Sequence, residues 1–186
     1  MEWNFKLSVD EEAAVDKHLA AVGPSFAVLF AGSRWESKRW FPTQIAGCAR
    51  VIRERHALDV VLLGGKEERK LSEELLAERG VQAVDLVGRT SLREAIGVIA
   101  RARVAVGPDT GLMHIAVAVG TPVVSLWGAT SPRRTGPYGF DDLVIQGRAP
   151  CAPCYQRRCA IGRICMQSIA SEEIAGKIAL ALSRPA

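Results

Sequence analysis

The stretch VAVGPDTGLMH at residues 104–114 predicts a strand, a tight turn and the first turn of a helix. Gly107 and Gly111 lie at the two ends of the turn, where the missing Cβ lets a ligand approach the backbone. Asp109 and Thr110 place short oxygen-bearing side chains beside the unpaired N–H groups of a helix start. The stretch therefore predicts a site for phosphate groups or sugar hydroxyls.

Apolar strand-like runs alternate with helix-like runs from about residue 26 onward, which is typical of a parallel sheet with helices on both faces. Most of the runs are continuous blocks of Val, Leu, Ile and Ala, as expected for strands buried on both sides. They cover residues 26–31, 58–63, 82–86, 103–106, 122–126 and 143–146. The predicted fold class is therefore α/β, with a Rossmann-like parallel sheet of about six strands.

Helix starts are marked by cap residues between these runs. Pro42 stands where a first-turn proline belongs. Ser91 with Glu94, and Ser8 with Glu11, have the spacing of capping boxes ahead of apolar residues at helical intervals. These signals agree with the strand pattern and strengthen the α/β prediction.

Composition is that of an ordinary globular protein, with 186 residues, 48% of them hydrophobic and 24% charged. The net charge of +4 is spread along the chain, so nucleic acid is not indicated as a partner. An anionic small ligand or an anionic membrane surface fits this charge better. No apolar run approaches the roughly 20 residues of a membrane span, and the first residues do not form a signal peptide. We expect a cytoplasmic location.

Ligands of open parallel sheets bind outside the carboxyl ends of the strands. Four loops there carry polar or glycine residues, at 32–40, 64–68, 88–91 and 107–111, and we expect them to face one crevice. In the first loop Ser33 and Lys38 could bind a pyrophosphate, although a solvated basic loop is an alternative. The chain has no Walker sequence and no G-x-G-x-x-G run, which disfavours a P-loop NTPase and an ordinary NAD dehydrogenase.

Three other residues near these loops allow two interpretations each. Glu67 could accept hydrogen bonds from a ribose or could stabilise the start of the next helix. Thr90 could contact a base or belong to a plain helix cap. His114 could be catalytic, but a lone histidine in a first helical turn is more often structural.

Four cysteines lie within fifteen residues, at Cys151, Cys154, Cys159 and Cys165. A Cys-x-x-Cys pair with two further thiols resembles a zinc ligand set, although the remaining spacings are not those of a familiar zinc ribbon. A structural zinc site, disulfides and reduced thiols all stay open, and a cytoplasmic setting disfavours disulfides.

At this point the sequence resembles glycosyltransferase family 9, the ADP-heptose lipopolysaccharide heptosyltransferases. Members have the GT-B architecture, in which two Rossmann-like domains face each other across a cleft. The matching segments stand in family order, and the D-T-G-L-x-H run is specific when the others surround it. They are residues 38–42, 63–65, 90–92, 108–114, 122–131, 136–139 and 151–154.

The resemblance implies that this chain is the C-terminal, donor-binding half, with ADP-heptose as its ligand. Ser33 and Lys38 would meet the diphosphate, together with Thr110 and Gly111 at the helix start. Asp109 would hold hydroxyls of the donor sugar. The resemblance also assigns substrate-binding positions to Glu67 at the ribose, to Thr90 near the adenine, and to Leu112 and His114.

The resemblance further implies an inverting transfer to an acceptor sugar of the lipopolysaccharide core, in which Lys38 offsets charge on the departing diphosphate. We expect no catalytic metal and no cofactor, because cations and helix N–H groups can serve the diphosphate and no Asp-x-Asp sequence is present. The family's general base lies in the N-terminal acceptor domain, which this sequence does not contain. We therefore expect residues 1–24 to be an interdomain connection with an amphipathic helix, and residues 25–186 to be a nucleotide-sugar-binding domain inactive alone.

Two other functions stay open on the residues alone. One is a non-catalytic module that binds a nucleotide sugar or docks a partner through residues 151–165, which we call the cysteine segment. The other is a different GT-B enzyme, such as a nucleotide-sugar epimerase, because a fold does not determine a reaction. A peripheral association with the inner face of the inner membrane also stays open.

Overall fold

The computed structural model describes residues 5–184. Its centre is a six-stranded sheet in which every pair of neighbours is parallel, in the order β3-β2-β1-β4-β5-β6. This confirms the predicted Rossmann-like sheet. The strands are β1 Phe26–Phe30, β2 Asp59–Leu63, β3 Val84–Asp85, β4 Val104–Pro108, β5 Val123–Trp127 and β6 Val144–Gln146.

Helices cover both faces of the sheet, as predicted. One face packs α2, α3, α7 and α8 against the inward side chains of the strands, and the other face packs α1, α4 and α5. The α-helices are α1 Val9–Leu19, α2 Pro42–His56, α3 Arg69–Ala77, α4 Leu92–Arg101, α5 Gly111–Ala118, α6 Pro132–Thr135, α7 Ile164–Gln167 and α8 Ser171–Leu182. Short 3-10 turns span Glu36–Lys38, Lys66–Glu68 and Asp141–Leu143.

The central strand β4 runs farther than the sequence pattern predicted. It continues through Gly107 and Pro108, which pair with β5, so only two residues separate the strand from α5. Gly107 is needed here because a Cβ would lie 2.6 Å from the Cβ of the buried Phe30 on β1. This close approach brings the carboxyl ends of β1 and β4 together, where the strand order reverses.

The predicted helix caps form at α1, α2 and α4. Both capping boxes are closed by reciprocal hydrogen bonds, Ser8 with Glu11 and Ser91 with Glu94, and Pro42 is the first residue of α2. These bonds satisfy N–H groups that the helices leave unpaired at their first turns.

The N-terminal helix α1 packs tightly onto α4 rather than standing apart from the sheet. Val15 is fully buried in the core of that face. The close contact is made at Gly97 of α4, where a Cβ would lie 2.6 Å from Leu7 and 2.8 Å from Val15. The segment that we expected to connect two domains therefore contributes to the hydrophobic core of this one.

Candidate functional site

A cavity of about 830 Å³ opens at the carboxyl ends of the central strands. Each of the four loops singled out in the sequence contributes to its wall, through residues 32–34, 64, 65, 67 and 68, 90–92 and 110–112. The expected crevice is therefore present in the structure. Six of the predicted site residues line it, namely Ser33, Glu67, Thr90, Thr110, Gly111 and Leu112.

The other three predicted site residues lie beside this wall as a polar cluster. Lys38 and Asp109 form an ion pair with 2.6 Å between Nζ and Oδ2, and their side chains are only 16% and 9% exposed. His114 Nε2 lies 4.0 Å from the second carboxylate oxygen, Oδ1, and its side chain is half exposed. The cluster is connected to the cavity wall through Ser33, whose hydroxyl donates to the Asp109 carbonyl at 3.1 Å.

Asp109 does not cap α5, although its position before the helix suggested that it could. Its Oδ2 accepts hydrogen bonds from Lys38 and from the Thr130 hydroxyl at 2.7 Å. Its backbone N–H donates to the Leu126 carbonyl and extends the β4–β5 ladder by one residue. The carboxylate is therefore held in one orientation by groups from two other loops.

The start of α5 faces the cavity without a side-chain cap. Thr110 is the N-cap residue in extended geometry, and its hydroxyl makes no capping hydrogen bond. Gly111 begins the helix, and a Cβ there would meet no atom within 4 Å. Since both residues line the cavity, the positive end of the helix dipole is directed toward a ligand in it.

The Gly64–Gly65 loop is held by Glu68, which lies beside Glu67 at the start of the next helix. Its carboxylate accepts a hydrogen bond of 2.7 Å from the Gly65 N–H. A Cβ at Gly32 would lie 2.5 Å from Cγ of Glu68, so that glycine leaves room for this side chain. Glu68 thus serves as the cap, and Glu67 lines the cavity beside it.

The loop that carries Lys38 is fixed by the cysteine segment. Ser37 donates from its N–H to the Arg157 carbonyl at 3.2 Å and from its hydroxyl to the Gln156 carbonyl at 2.5 Å. Glu36 accepts a hydrogen bond of 3.0 Å from the Cys159 N–H. These three bonds join residues 36–37 to 156–159, which are more than a hundred positions away along the chain.

Arginine and aromatic side chains complete this junction. Arg163 pairs with Glu36 at 3.2 Å and donates to the Arg39 carbonyl at 2.9 Å. The Lys38 ammonium lies 4.5 Å from the ring centroid of Trp35, which is a favourable cation–π distance. The position of the Lys38 ammonium is thus set by Asp109, by the Trp35 ring and by the cysteine segment.

All five cysteines are free thiols in the structure. Burial raises the pKa of Cys165, and the nearby thiols of Cys159, Cys151 and Cys154 raise it further. Within residues 5–184 no group of three or more His, Cys, Asp or Glu side chains is arranged to hold a metal ion.

Thr130 and Arg39 contribute to the site but were not assigned as site residues from the sequence. Thr130 donates a hydrogen bond to the Asp109 carboxylate. In the sequence, the only feature that could have indicated this role is its position just after the apolar run that forms β5. Arg39 lines the cavity and donates from Nε to the Ser33 carbonyl at 2.8 Å, so it shapes the loop as well as adding charge. In the sequence, Lys38 and Arg39 both marked this loop as basic, but nothing distinguished their two roles.

A parallel sheet in this strand order, with a cavity where the order reverses, defines a Rossmann-like ligand-binding domain. The family model of glycosyltransferase family 9 (heptosyltransferase) matches residues 1–165. The chain belongs to this family.

Among curated relatives, lipopolysaccharide heptosyltransferase 1 of Pseudomonas aeruginosa is 33% identical over 151 residues, covering 81% of this chain and 41% of that protein. Among solved structures, ADP-heptose lipopolysaccharide heptosyltransferase II of E. coli superposes with a TM-score of 0.74 at 24% identity, over 96% of this chain and 53% of that one. The E. coli heptosyltransferase WaaC with ADP gives 0.66 at 21%, over 91% and 49%. The chain thus spans about half the length of these proteins.

These structural neighbours are GT-B heptosyltransferases, so the six-stranded sheet has the fold of about half of such an enzyme. Among the helices that the structure describes, none is both long enough and apolar enough to cross a bilayer.

Proposed function

We propose that this chain is the donor-binding half of an inverting heptosyltransferase of lipopolysaccharide core biosynthesis, and that ADP-heptose is its ligand. The observation that carries the proposal is the cavity itself. Four loops enclose it at the strand-order reversal, beside an uncapped helix start and a nearly buried lysine. Its volume of about 830 Å³ falls within the range of about 300–1,000 Å³ that small-ligand sites occupy.

The diphosphate is assigned to the part of the cavity between β1 and β4. Thr110 and Gly111 present the positive end of α5 there, and Ser33 on the opposite loop would donate its hydroxyl to a phosphate oxygen in place of the Asp109 carbonyl. Backbone N–H groups at a helix start and a nearby ammonium are the donors that phosphate oxygens prefer. Lys38 would join them when a ligand's negative charge competes with Asp109 for the ammonium.

The nucleoside is assigned to the far end of the cavity, toward α4. Leu92 and Ile115 form an apolar wall there with Thr90, which suits the flat face of a base. Glu67 also lines the cavity and can accept hydrogen bonds from ribose hydroxyls. The donor sugar would then extend from the diphosphate toward Asp109 and His114.

The chemistry follows from this placement. An acceptor hydroxyl attacks the anomeric carbon of the heptose, the bond to the diphosphate breaks, and ADP leaves with the negative charge. Lys38 and the N–H groups of α5 would stabilise that charge as it develops. The general base and the binding site for the acceptor would belong to an N-terminal domain, so we expect this chain alone to bind the donor and to transfer no sugar.

Isothermal titration calorimetry of the chain with ADP, UDP and GDP tests the proposal. We expect ADP to bind most tightly, and we expect Lys38→Met to weaken its binding about tenfold or more because a charge-assisted contact to phosphate is lost. Lys70→Met is the matched control, since the Lys70 side chain is 88% exposed on α3, outside the cavity. A preference for UDP or GDP, or an unchanged ADP affinity in Lys38→Met, would contradict the assignment.

A further inference from the structure

A nearly buried carboxylate at the end of β3 is tied to the start of α3. Asp85 is the last residue of β3, and its side chain is only 8% exposed. Its Oδ2 accepts a hydrogen bond of 2.9 Å from Nη1 of Arg69, the first residue of α3. Arg89 lies farther from the same oxygen, at 3.8 Å, and its side chain is more exposed. Because a shielded charge needs a partner, the pair of Asp85 with Arg69 fixes β3 and α3 relative to each other.

The same two side chains also hold the backbone that follows β3. The second carboxylate oxygen of Asp85, Oδ1, accepts a hydrogen bond of 3.0 Å from the Val87 N–H. Nη1 of Arg69 donates a second hydrogen bond, of 3.0 Å, to the Val87 carbonyl. The Val87 side chain is fully buried, so this residue is held by packing as well as by both of its backbone polar groups. One ion pair therefore anchors the start of the loop between β3 and α4.

The loop between β3 and α4 also packs closely against the loop between β2 and α3. The Gly88 N–H donates to the Gly64 carbonyl at 3.0 Å and joins the two loops directly. A Cβ at Gly88 would lie 3.1 Å from Cδ of Arg69 and 3.1 Å from Cα of Lys66. The φ of Gly88 is +66°, in the left-handed region that favours glycine. The two loops thus meet at the Arg69 side chain.

These two loops form the walls of the cavity at the end assigned to the nucleoside. The cavity residues of the first loop end at Glu68, directly before Arg69. The cavity residues of the second loop, 90–92, begin three positions after Val87. Within the part of the chain that the structure describes, Asp85, Arg69 and Val87 are not among the residues that line the cavity. The ion pair can therefore act on a ligand only through the residues that it positions.

We propose that Asp85 and Arg69 are positioning residues for the nucleoside of the ligand. By fixing the separation of the two loops before a ligand arrives, they remove the free-energy cost of ordering these loops on binding. The diphosphate end is built instead by the loops after β1 and β4, which Lys38, Asp109 and Thr130 hold together. The ion pair thus governs how much the nucleoside adds to the affinity of the diphosphate. This inference rests on the proposed function, in that a nucleoside occupies this end, but it does not depend on which base the nucleoside carries.

Titration calorimetry of the chain with ADP and with inorganic pyrophosphate separates the two ends of the cavity, because only ADP reaches the nucleoside end. Arg69→Met keeps an unbranched side chain and removes the guanidinium. We expect it to weaken the binding of ADP at least about fivefold and to leave the affinity for pyrophosphate within about twofold of the parent's, since the two loops would become ordered only on binding of the nucleoside. The variant also loses the pair of Arg69 with Glu73 within α3, but an exposed pair of this kind contributes little.

Arg53→Met is the matched control, because it removes an arginine–aspartate pair at the opposite edge of the sheet. Nη1 of Arg53 lies 2.7 Å from Oδ1 of Asp59, the first residue of β2. The two arginine side chains are similarly exposed, 35% for Arg53 and 31% for Arg69. Arg53→Met should leave the affinities for ADP and for pyrophosphate within about twofold of the parent's, because it is distant from the cavity. An equal loss of ADP affinity in the two variants would overturn the proposal, since it would follow from lost stability and not from position.

Asp85→Asn tests the carboxylate without changing the size of the side chain. Asparagine can still accept the hydrogen bond from the Val87 N–H, but the charge that holds Arg69 is lost. The binding of ADP should weaken about threefold or more, again without a change for pyrophosphate. Circular dichroism spectra identical to the parent's verify that each variant is folded.

The outcomes distinguish this inference from the proposed function. An unchanged affinity for ADP in Arg69→Met and Asp85→Asn, or equal losses for ADP and pyrophosphate, would overturn the positioning role and leave the proposed function in place. A parent chain that binds ADP no more tightly than pyrophosphate would contradict the placement of the nucleoside, and this inference would fail with it.

Discussion

Replacement of Lys38 by methionine should destabilise the protein through the carboxylate that it leaves behind. Methionine keeps an unbranched side chain but removes the ammonium 2.6 Å from Asp109. The Asp109 side chain is 9% exposed, so the carboxylate would stay largely shielded from water with its hydrogen bond from Thr130. An uncompensated, nearly buried charge is expensive.

The expected loss can be worked out from the exposure of the pair. Removing one partner of a fully buried ion pair costs about 3–5 kcal/mol. Both side chains retain some contact with solvent here, 16% for Lys38 and 9% for Asp109, so we expect about 2–4 kcal/mol. For a chain of this size each kcal/mol shifts Tm by roughly 2–4 °C, which predicts a decrease of about 10 °C.

A double-mutant cycle measured by urea unfolding at neutral pH isolates the pair. Asp109→Asn keeps the shape of the side chain and removes its charge, and should cost less, because the Lys38 ammonium can turn toward solvent. The double variant should be more stable than Lys38→Met alone, with a coupling free energy of at least about 1 kcal/mol. A coupling below about 0.5 kcal/mol would refute the reasoning.

The single variant Asp109→Asn separates the roles that we assign to Lys38 and to Asp109 in ligand binding. Asp109→Asn frees the Lys38 ammonium, so the affinity for ADP should be unchanged or higher. The affinity for ADP-heptose should fall, because Asp109 is assigned to the sugar hydroxyls. A loss of affinity for ADP itself would show that Asp109 acts on the nucleotide.

Three further outcomes are expected. Iodoacetamide at pH 8 should alkylate the exposed Cys151 and leave Cys48 unmodified in the folded protein, since burial raises the pKa of the Cys48 thiol to about 12. Mass spectrometry of the modified peptides checks this, and early modification of Cys48 would contradict it. Gly107→Ala should lower the free energy of unfolding, measured in urea, by about 1–3 kcal/mol, because the added Cβ would clash with Phe30 on the neighbouring strand. Gly111→Ala, with open space around the new Cβ, should change it by less than about 1 kcal/mol, and equal effects of the two variants would refute the packing argument. The pKa of Asp59 is lowered, first by the hydrogen bond that its carboxylate accepts from the Gly23 N–H, so its contribution to stability is present above the unfolded pKa near 4 and is lost as pH falls through the folded value. Asp59→Asn should therefore flatten the acid side of a plot of unfolding free energy against pH, and an unaltered plot would argue against it.

The sheet could be predicted because its strands are short blocks of Val, Leu, Ile and Ala that bury both faces. The prediction was least accurate at β3, where an expected run of five residues has only Val84 and Asp85 in the ladder. This strand lies at the sheet edge, its two residues are only half buried, and Gln82 before them is exposed. A pattern of burial carries little information where burial is partial.

The candidate site was predictable as a place but not as a set of contacts. Each loop follows its strand, so parallel topology alone brings Ser33 and Gly111 to one cavity. The pairing of Lys38 with Asp109 spans 71 positions and depends on the direction of a loop that the cysteine segment holds. No local pattern in the sequence encodes that direction, since it results from tertiary contacts.

The segment between β6 and α8, which carries four of the cysteines, begins and ends at neighbouring positions in the structure. Gly147 lies so close to the chain at Cys165 that a Cβ there would be 1.9 Å from the Cys165 carbonyl oxygen, and the Arg148 N–H donates to the Ser168 hydroxyl at 2.7 Å. A loop closed at its base can change in length at little entropic cost, about 0.6 kcal/mol for each doubling. Insertions or deletions in this segment should leave β6 and α8 in place when they spare Gly147 and residues 156–163, which hold the Lys38 loop.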